Sequence, residues 1–316
     1  MSEFEHAPVM RDEVVASLRT VPPGVVLDAT LGGGGHSDAM LDDRDDLQVL
    51  GLDRDPNALD FAQRRLSRFG SRVMTHRCRF DALDEAMDAH DVEVLSGALF
   101  DLGVSSPQLD RPDRGFSYRH DGPLDMRMDT DAPWSADDVV NGYGERQLAD
   151  VIKRYGDERF ARRIAAAIVA SRPIESTTRL AEVVTSAIPA PARRTGGHPA
   201  KRTFQAIRIE VNGELESLPG ALDKAIDALV PGGRLAVLSY HSGEDRIAKD
   251  RIRVAETGGC ECPPELPCVC GAVQTVRIVR GVPKRAGVTE QAANRRSASA
   301  RLRVAEKIEP TTRGGI

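Results

Sequence analysis

The feature that most constrains this chain is the run Asp28-Ala-Thr-Leu-Gly-Gly-Gly-Gly-His36, set between a short apolar stretch and a helix-like one. Four consecutive glycines remove every Cβ from a strand-to-helix turn, which lets backbone approach a ligand closely. In an open α/β sheet such a turn lies at the carboxyl ends of the strands, where ligands bind. The next apolar segment, Leu47–Leu52, is closed by Asp53, an acid placed to accept hydrogen bonds from the two hydroxyls of an adenosine ribose. Loop and acid together indicate an adenosine-type cofactor. The glycines are contiguous and lead into His36 and Ser37, so the spacing is not the G-x-G-x-x-G of dinucleotide enzymes. Asp28, the acid ending the first strand, either orders the loop or meets the cofactor's amino-acid end.

Around this turn the pattern alternates. Val25–Leu31, Leu47–Leu52, Val73–His76 and Val94–Leu102 read as buried strands, with helices from His36 and from Pro56, whose ring suits a first helical turn. Strand–helix alternation predicts a doubly wound, mostly parallel sheet. Residues 109–203 contain no convincing strand. A polar loop over 110–133 is followed by helical periodicity in Val139–Ile152, Phe160–Ala170 and Arg179–Ile188. Helix resumes over Asn212–Val230, and Pro231-Gly232-Gly233 turns into the strand Arg234–Ser239. Gln274–Arg280 and Ala300–Ala305 alternate like an antiparallel edge pair. The expected organisation is a Rossmann-like α/β domain in two segments, 1–108 and 204–316, interrupted by a helical insertion at 109–203.

The fourth strand runs into Asp101-Leu-Gly-Val-Ser105-Ser106-Pro107-Gln108. Amino-methyltransferases place an Asp/Asn/Ser-Pro-Pro-aromatic turn there, and Ser106-Pro107 matches its first half. The exocyclic amine of cytosine is a weak nucleophile because its lone pair is delocalised into the ring. Acceptors fixed on its N–H protons, together with in-line positioning, supply what the chemistry lacks. A Ser/Pro turn that only caps the insertion gives the same pattern. C5 methylation would instead require a nucleophilic cysteine, and no Pro-Cys occupies a matching loop. The later strand ends Ser239-Tyr240-His241-Ser242. Tyr240 could stack on a flipped base, and His241 either meets substrate or serves structure.

These motifs, in order, resemble one family: the 16S ribosomal RNA cytosine-N4 methyltransferases, known as MraW or RsmH. The likeness rests on His6-Ala-Pro-Val9, Asp28–Ser37, Gly51–Pro56, Phe100–Leu109, Gly115-Phe-Ser, Gly122–Asp129, Tyr155-Gly-Asp-Glu, His198–Arg208, Val211–Leu215, Ser239–Arg246 and Ala300–Glu306. Two places depart from the family pattern, Asn294-Arg-Arg-Ser297 and Ser242-Gly-Glu-Asp245. The resemblance implies an S-adenosylmethionine-dependent enzyme that methylates a cytosine in the decoding centre of the small ribosomal subunit. It places cofactor contacts on Gly34, Gly35, His36, Asp53, Phe80, Asp101 and Gln108; the catalytic candidates, read from the two loops above, are Ser106, Pro107, Tyr240 and His241. An amino-methyltransferase acting on DNA or another RNA shares the sheet motifs. An inactive RNA-binding assembly factor would differ by failing to bind the cofactor, and a NAD enzyme by binding the other nucleotide.

The expected macromolecular partner is 16S rRNA in the small subunit, and a homodimer is left open. Lys+Arg 43 against Asp+Glu 48 give a net charge of −5, so the chain is not basic throughout. Basic residues nevertheless cluster: Arg193, Arg194, Lys201, Arg202 and Arg208, and again Arg277, Arg280, Lys284, Arg285, Arg295, Arg296, Arg301, Arg303 and Lys307. Such patches suit phosphates, although a solvated face looks the same. The candidate RNA contacts are Arg202, Arg208, Asn212, Arg295 and Arg296. The start of the chain, MSEFEHAPVM, lacks the basic-then-apolar pattern of a signal peptide, and no apolar run suits a membrane span. With cysteine usage unlike a secreted disulfide framework, the expectation is a cytoplasmic protein without a membrane partner. Cys260, Cys262, Cys268 and Cys270 are either a Zn²⁺ site or reduced, redox-sensitive thiols; C-x-C spacing departs from the usual C-x₂₋₄-C, and the reaction needs no metal.

Overall fold

The computed structural model describes residues 8–193, 197–263, 269–294 and 296–312, with only the backbone at 106 and 107. The chain divides into two compact units, one of residues 5–103 and 215–316, the other of residues 104–214.

The first unit is built on seven strands: β1 (Gly24–Asp28), β2 (Leu47–Asp53), β3 (Val73–Arg77), β4 (Leu95–Asp101), β5 (Leu229–Ser239), β6 (Val273–Ile278) and β7 (Arg301–Thr312). Their order across the sheet is β3-β2-β1-β4-β5-β7-β6. The first five run parallel, and β7 lies antiparallel between β5 and β6. Apolar runs such as LQVLGL have no polar alternation because both sheet faces are covered. Alternate residues of the same strands supply the two cores. Leu27, Leu50, Phe100, Leu235 and Val237 pack with Leu218, Leu222 and Ile226 of the helix Glu214–Ala228. Val26, Val49, Leu99, Ala236 and Leu238 face the other way, onto Met10, Val14 and Leu18 beside the helix Arg11–Leu18 and onto Met40 and Leu41 of the helix Gly35–Asp43.

Strand order reverses between β1 and β4, so the loops after these two strands diverge and leave a crevice at their carboxyl ends. The antiparallel edge is tied across three strands. Glu306 on β7 binds Arg234 on β5 (2.9 Å) and also accepts from Arg277 on β6. Burial opposes its ionisation, but the two guanidinium groups outweigh it and hold the carboxyl below its ordinary range.

Three readings are corrected here. The apolar run Val25–Leu31 is not strand throughout: the strand ends at the acid Asp28, whose carboxylate accepts the Thr30 N–H (3.3 Å) and turns the chain. Pro231-Gly232-Gly233 lies within β5 as a bulge, with Leu95 opposite Leu229 but Gly97 opposite Arg234. The expected helix over Val139–Ile152 is a π-turn, Asp138–Gly142, followed by a helix, Glu145–Gly156, separated at Tyr143-Gly144.

The second unit contains no strand among its described residues. Its helices Glu145–Gly156, Ala161–Ala170, Thr177–Ala187 and Lys201–Asn212 enclose Leu148, Ile152, Ile164, Ile168, Leu180, Val184, Phe204 and Ile207. The boundary expected at 203/204 falls inside the last of these helices.

Candidate active site

The crest of the sheet in the first unit gathers residues from five strand ends. After β1 the chain turns tightly: Leu31 N–H donates to Leu52 O (2.8 Å) and Gly34 N–H to Leu31 O (2.7 Å). Asp28 is buried beneath this turn and accepts from Ser37 Oγ at 2.6 Å. Burial pushes its carboxyl up, with the Ser37 bond opposing. Of the two roles open to Asp28, the geometry shows it ordering the loop.

Two of the glycines are also required by packing. Gly34 stands at φ 72, and a Cβ there would lie 3.1 Å from Leu66 Cδ1 and 3.3 Å from Ala62 Cβ. A Cβ on Gly35 would lie 2.5 Å from Pro8 Cγ. The protein itself crowds these two positions, so their bareness serves packing of the loop against the helix Pro56–Leu66 and Pro8.

Asp53, at the end of β2, is held by two backbone donors, Gly32 N–H to Oδ2 and Asp55 N–H to Oδ1, each at 2.9 Å. Burial pushes its pKa up to about 6, with the two N–H groups pulling the other way. A carboxylate offers about four lone-pair positions. Two are used, so two hydroxyls of a ribose can be accepted. Phe80, after β3, is half-buried and meets Phe100 edge-on at 6.0 Å between ring centres, leaving it an apolar platform near Asp53's strand.

At the end of β4, Asp101 N–H donates to Thr30 Oγ1 (2.7 Å), which locks the β1 and β4 loops together. Asp101 Oδ1 accepts from the Tyr240 hydroxyl (2.8 Å), and Oδ2 lies 3.4 Å from His36 Nε2. Burial, then the adjoining Asp101 carboxylate, raise the Tyr240 phenol well above its ordinary value, so it stays a donor. His36 is buried, and neither ring nitrogen has a hydrogen-bond partner. A buried imidazole with an orphaned Nδ1 beside a carboxylate suits a ligand carrying both charges of an amino acid.

His241 caps the helix Ser242–Thr257. Its Nδ1 accepts from Gly243 N–H (3.2 Å) and Glu244 N–H (3.4 Å), while the Glu244 carboxylate accepts from His241 N–H (3.2 Å) and from Tyr240 N–H (2.7 Å). This reciprocal box fixes Tyr240 and leaves His241 a structural task. Gln108 lies in the other unit, buried, its Oε1 accepting from Ser105 N–H (3.0 Å). Ser106 and Pro107 open the short helix Ser106–Asp110.

The basic candidates separate into exposed cations, among which Arg202 also donates to Asp157 O (2.9 Å), and buried or paired struts. Asn212 is buried: Nδ2 donates to Met126 O (2.7 Å) and Arg208 O (2.8 Å), and Oδ1 accepts from Met128 N–H (2.8 Å). It braces the 110–133 loop, so its reading as an RNA contact is corrected. Arg208 pairs with Glu214 through two bonds of 2.9 Å. Arg301 and Arg303 pair with Asp245, and Lys307 Nζ donates to Ile226 O (2.7 Å). Arg202, Arg280, Lys284 and Arg285 are exposed, and Arg296 is half-buried. Arg194, Arg295 and Cys268 lie outside the described residues.

Sequence reasoning passed over Thr30, Ser37 as the partner of Asp28, and Glu244. The first two were legible only as hydroxyls near an acid. Glu244 was legible as the third residue after a cap, had histidine been recognised as the cap. Among the described residues no helix is long and apolar enough to cross a membrane.

The sequence model of the MraW methylase family matches residues 3–308. A protein of Mycobacterium sp. (strain KMS) named ribosomal RNA small subunit methyltransferase H is 50% identical, covering 98% of this chain and 86% of that protein. Proteins of the same name from Saccharopolyspora erythraea (50% identical, 96% and 94% covered) and Carboxydothermus hydrogenoformans (47%, 97% and 99%) are similar throughout.

Proposed function

The chain belongs to the MraW methylase family, and from that premise we propose that it methylates the exocyclic N4 amine of a cytosine in the decoding centre of 16S rRNA, on the small ribosomal subunit. Its methyl donor is S-adenosylmethionine. The observation that carries the reading is the near end-to-end identity with proteins named small-subunit rRNA methyltransferases.

The bound donor supplies an electrophilic methyl group on a sulfonium, so the protein's own task is holding and aligning. In this reading Asp53 accepts the ribose hydroxyls and Phe80 lies against the adenine. His36 and Asp101 meet the amino-acid end, with Tyr240 and Thr30 keeping the Asp101 carboxylate oriented. Gly34 and Gly35 shape the loop that presents these groups, and Gln108 is a cofactor contact by motif. The Ser106-Pro107 turn offers acceptors to the amine protons, which favours the rehybridised nitrogen as charge develops.

Direct transfer to nitrogen is favoured over covalent attack on the ring by the state of Cys78. Burial, then the negative charges around it, push this thiol up to about 11, far from the thiolate that C5 chemistry requires. RNA phosphates would be met by the exposed cations Arg202, Arg280, Lys284 and Arg285 and by the half-buried Arg296.

The test incubates small subunits lacking the modification with methyl-labelled S-adenosylmethionine and maps the labelled nucleotide. Label on the N4 of one decoding-centre cytosine is expected. Label on another position, or on protein-free RNA only, would overturn the assignment.

A further inference from the structure

The cysteine-rich segment between the helix Ser242–Thr257 and β6 takes no part in the chemistry above. That helix has 16 residues, about 24 Å at 1.5 Å per residue, and its far end from Tyr240 carries the cysteines.

Among the described residues, the sulfur atoms of Cys260, Cys262 and Cys270 all lie within 4.8 Å of one another. None is in a disulfide. Zinc–thiolate bonds of about 2.3 Å in a tetrahedron set neighbouring sulfurs about 3.8 Å apart. No edge of the triangle therefore exceeds by more than about 1 Å the spacing such an ion imposes.

The stem of the segment is closed by the protein. Gly259 N–H donates to Val254 O (3.1 Å) and Cys260 N–H to Thr257 O (3.2 Å), which turns the chain sharply off the helix. Gly258 then lies so close to Val273 that a Cβ on it would sit 2.4 Å from the Val273 nitrogen. Beyond the stem, apolar burial contributes little, since Val269 is 89% exposed. Among the described residues of the segment, an exposed valine and clustered thiols supply no apolar core. A metal is the means by which such loops acquire a fixed point.

We infer that Cys260, Cys262 and Cys270 form a structural site for a soft divalent cation, zinc, bound through their thiolates. Thiolate ligands select zinc over the hard cations, and zinc brings no redox chemistry. On binding, each S–H proton passes to solvent as its sulfur takes up the metal bond, and no oxidant or reductant is involved. The site needs only these three thiols, the fourth tetrahedral position being left to solvent or to another donor.

The test is elemental analysis of the full chain, purified under reducing conditions without chelator from zinc-supplemented medium. About one zinc ion per chain is expected, with Cys260→Ser, Cys262→Ser and Cys270→Ser each lowering occupancy about tenfold or more and Cys78→Ala retaining it. Should a serine variant fold poorly, the wild-type chain is alkylated with iodoacetamide with and without zinc, and the modified cysteines are mapped. Zinc-dependent protection of Cys260, Cys262 and Cys270 but not Cys78 supports the site. Wild-type protein with only trace zinc, equal alkylation in both conditions, or a disulfide among the three under reducing conditions would overturn it.

Discussion

Replacing Asp53 with asparagine keeps the side chain's shape while removing its charge and one acceptor oxygen. Burial pushes the Asp53 pKa up to about 6 from 3.8, so its ionised form is disfavoured by about 3 kcal/mol relative to water. The substitution relieves that cost. It also loses one charge-assisted bond among those from Gly32 and Asp55, a loss of about 1.5–3 kcal/mol. The two effects nearly cancel, and the melting temperature should move by no more than a few degrees. Cofactor affinity has no such compensation. Two ribose hydroxyls facing a neutral amide in place of a carboxylate should bind about 2–4 kcal/mol more weakly, or about 30- to 1,000-fold.

The pH dependence follows with its sign. A raised carboxyl pKa means that the folded state binds the proton more tightly than the unfolded one. This group's contribution to stability is fully present below its ordinary value and is lost as pH rises through about 6. Binding behaves oppositely: ribose hydroxyls favour the ionised carboxylate, so wild-type affinity should weaken as pH falls through about 6, while Asp53→Asn stays flat. Titration calorimetry with S-adenosylmethionine between pH about 7.5 and about 5 measures both effects. Equal affinity of variant and wild type, or a flat wild-type profile, would refute the ribose contact.

Gly34→Ala combines a left-handed backbone with contacts to Leu66 and Ala62 and should cost about 1–3 kcal/mol in urea unfolding; an unchanged midpoint would show that the loop yields freely. Asn212→Ala removes three hydrogen bonds, two of them buried, and should destabilise by about 2–4 kcal/mol, while the salt dependence of RNA binding stays as in wild type. Tyr240→Phe frees the Asp101 carboxylate from its 2.8 Å bond and should reduce turnover about tenfold or more with the fold retained by circular dichroism; full activity would remove Tyr240 from the site. RNA affinity should fall steeply with salt, and the double change Lys284→Ala and Arg285→Ala should reduce the log–log slope by about two, measured by filter binding. A slope equal to that of wild type would place the RNA elsewhere.

What the amino-acid order determined alone was local or periodic. Apolar runs without polar alternation marked β2 and β4 as buried on both faces, and the glycine run with Asp53 beyond the next strand marked the crest proposed to hold the cofactor. The two-turn helix Arg11–Leu18 escaped notice because so short a segment shows little periodicity, and its Val14 and Leu18 become apolar partners only against β1 and β5. Only tertiary structure decided what the polar residues do. Asn212 becomes a strut because Met126 and Met128, far back in the chain, present backbone to it. Arg303 turns from the basic surface to pair with Asp245, and Gly34 and Gly35 are bare because Leu66 and Pro8 arrive from elsewhere. Periodicity is written along a chain, whereas a side chain's partner is set by whichever distant segment folding brings within a few ångströms.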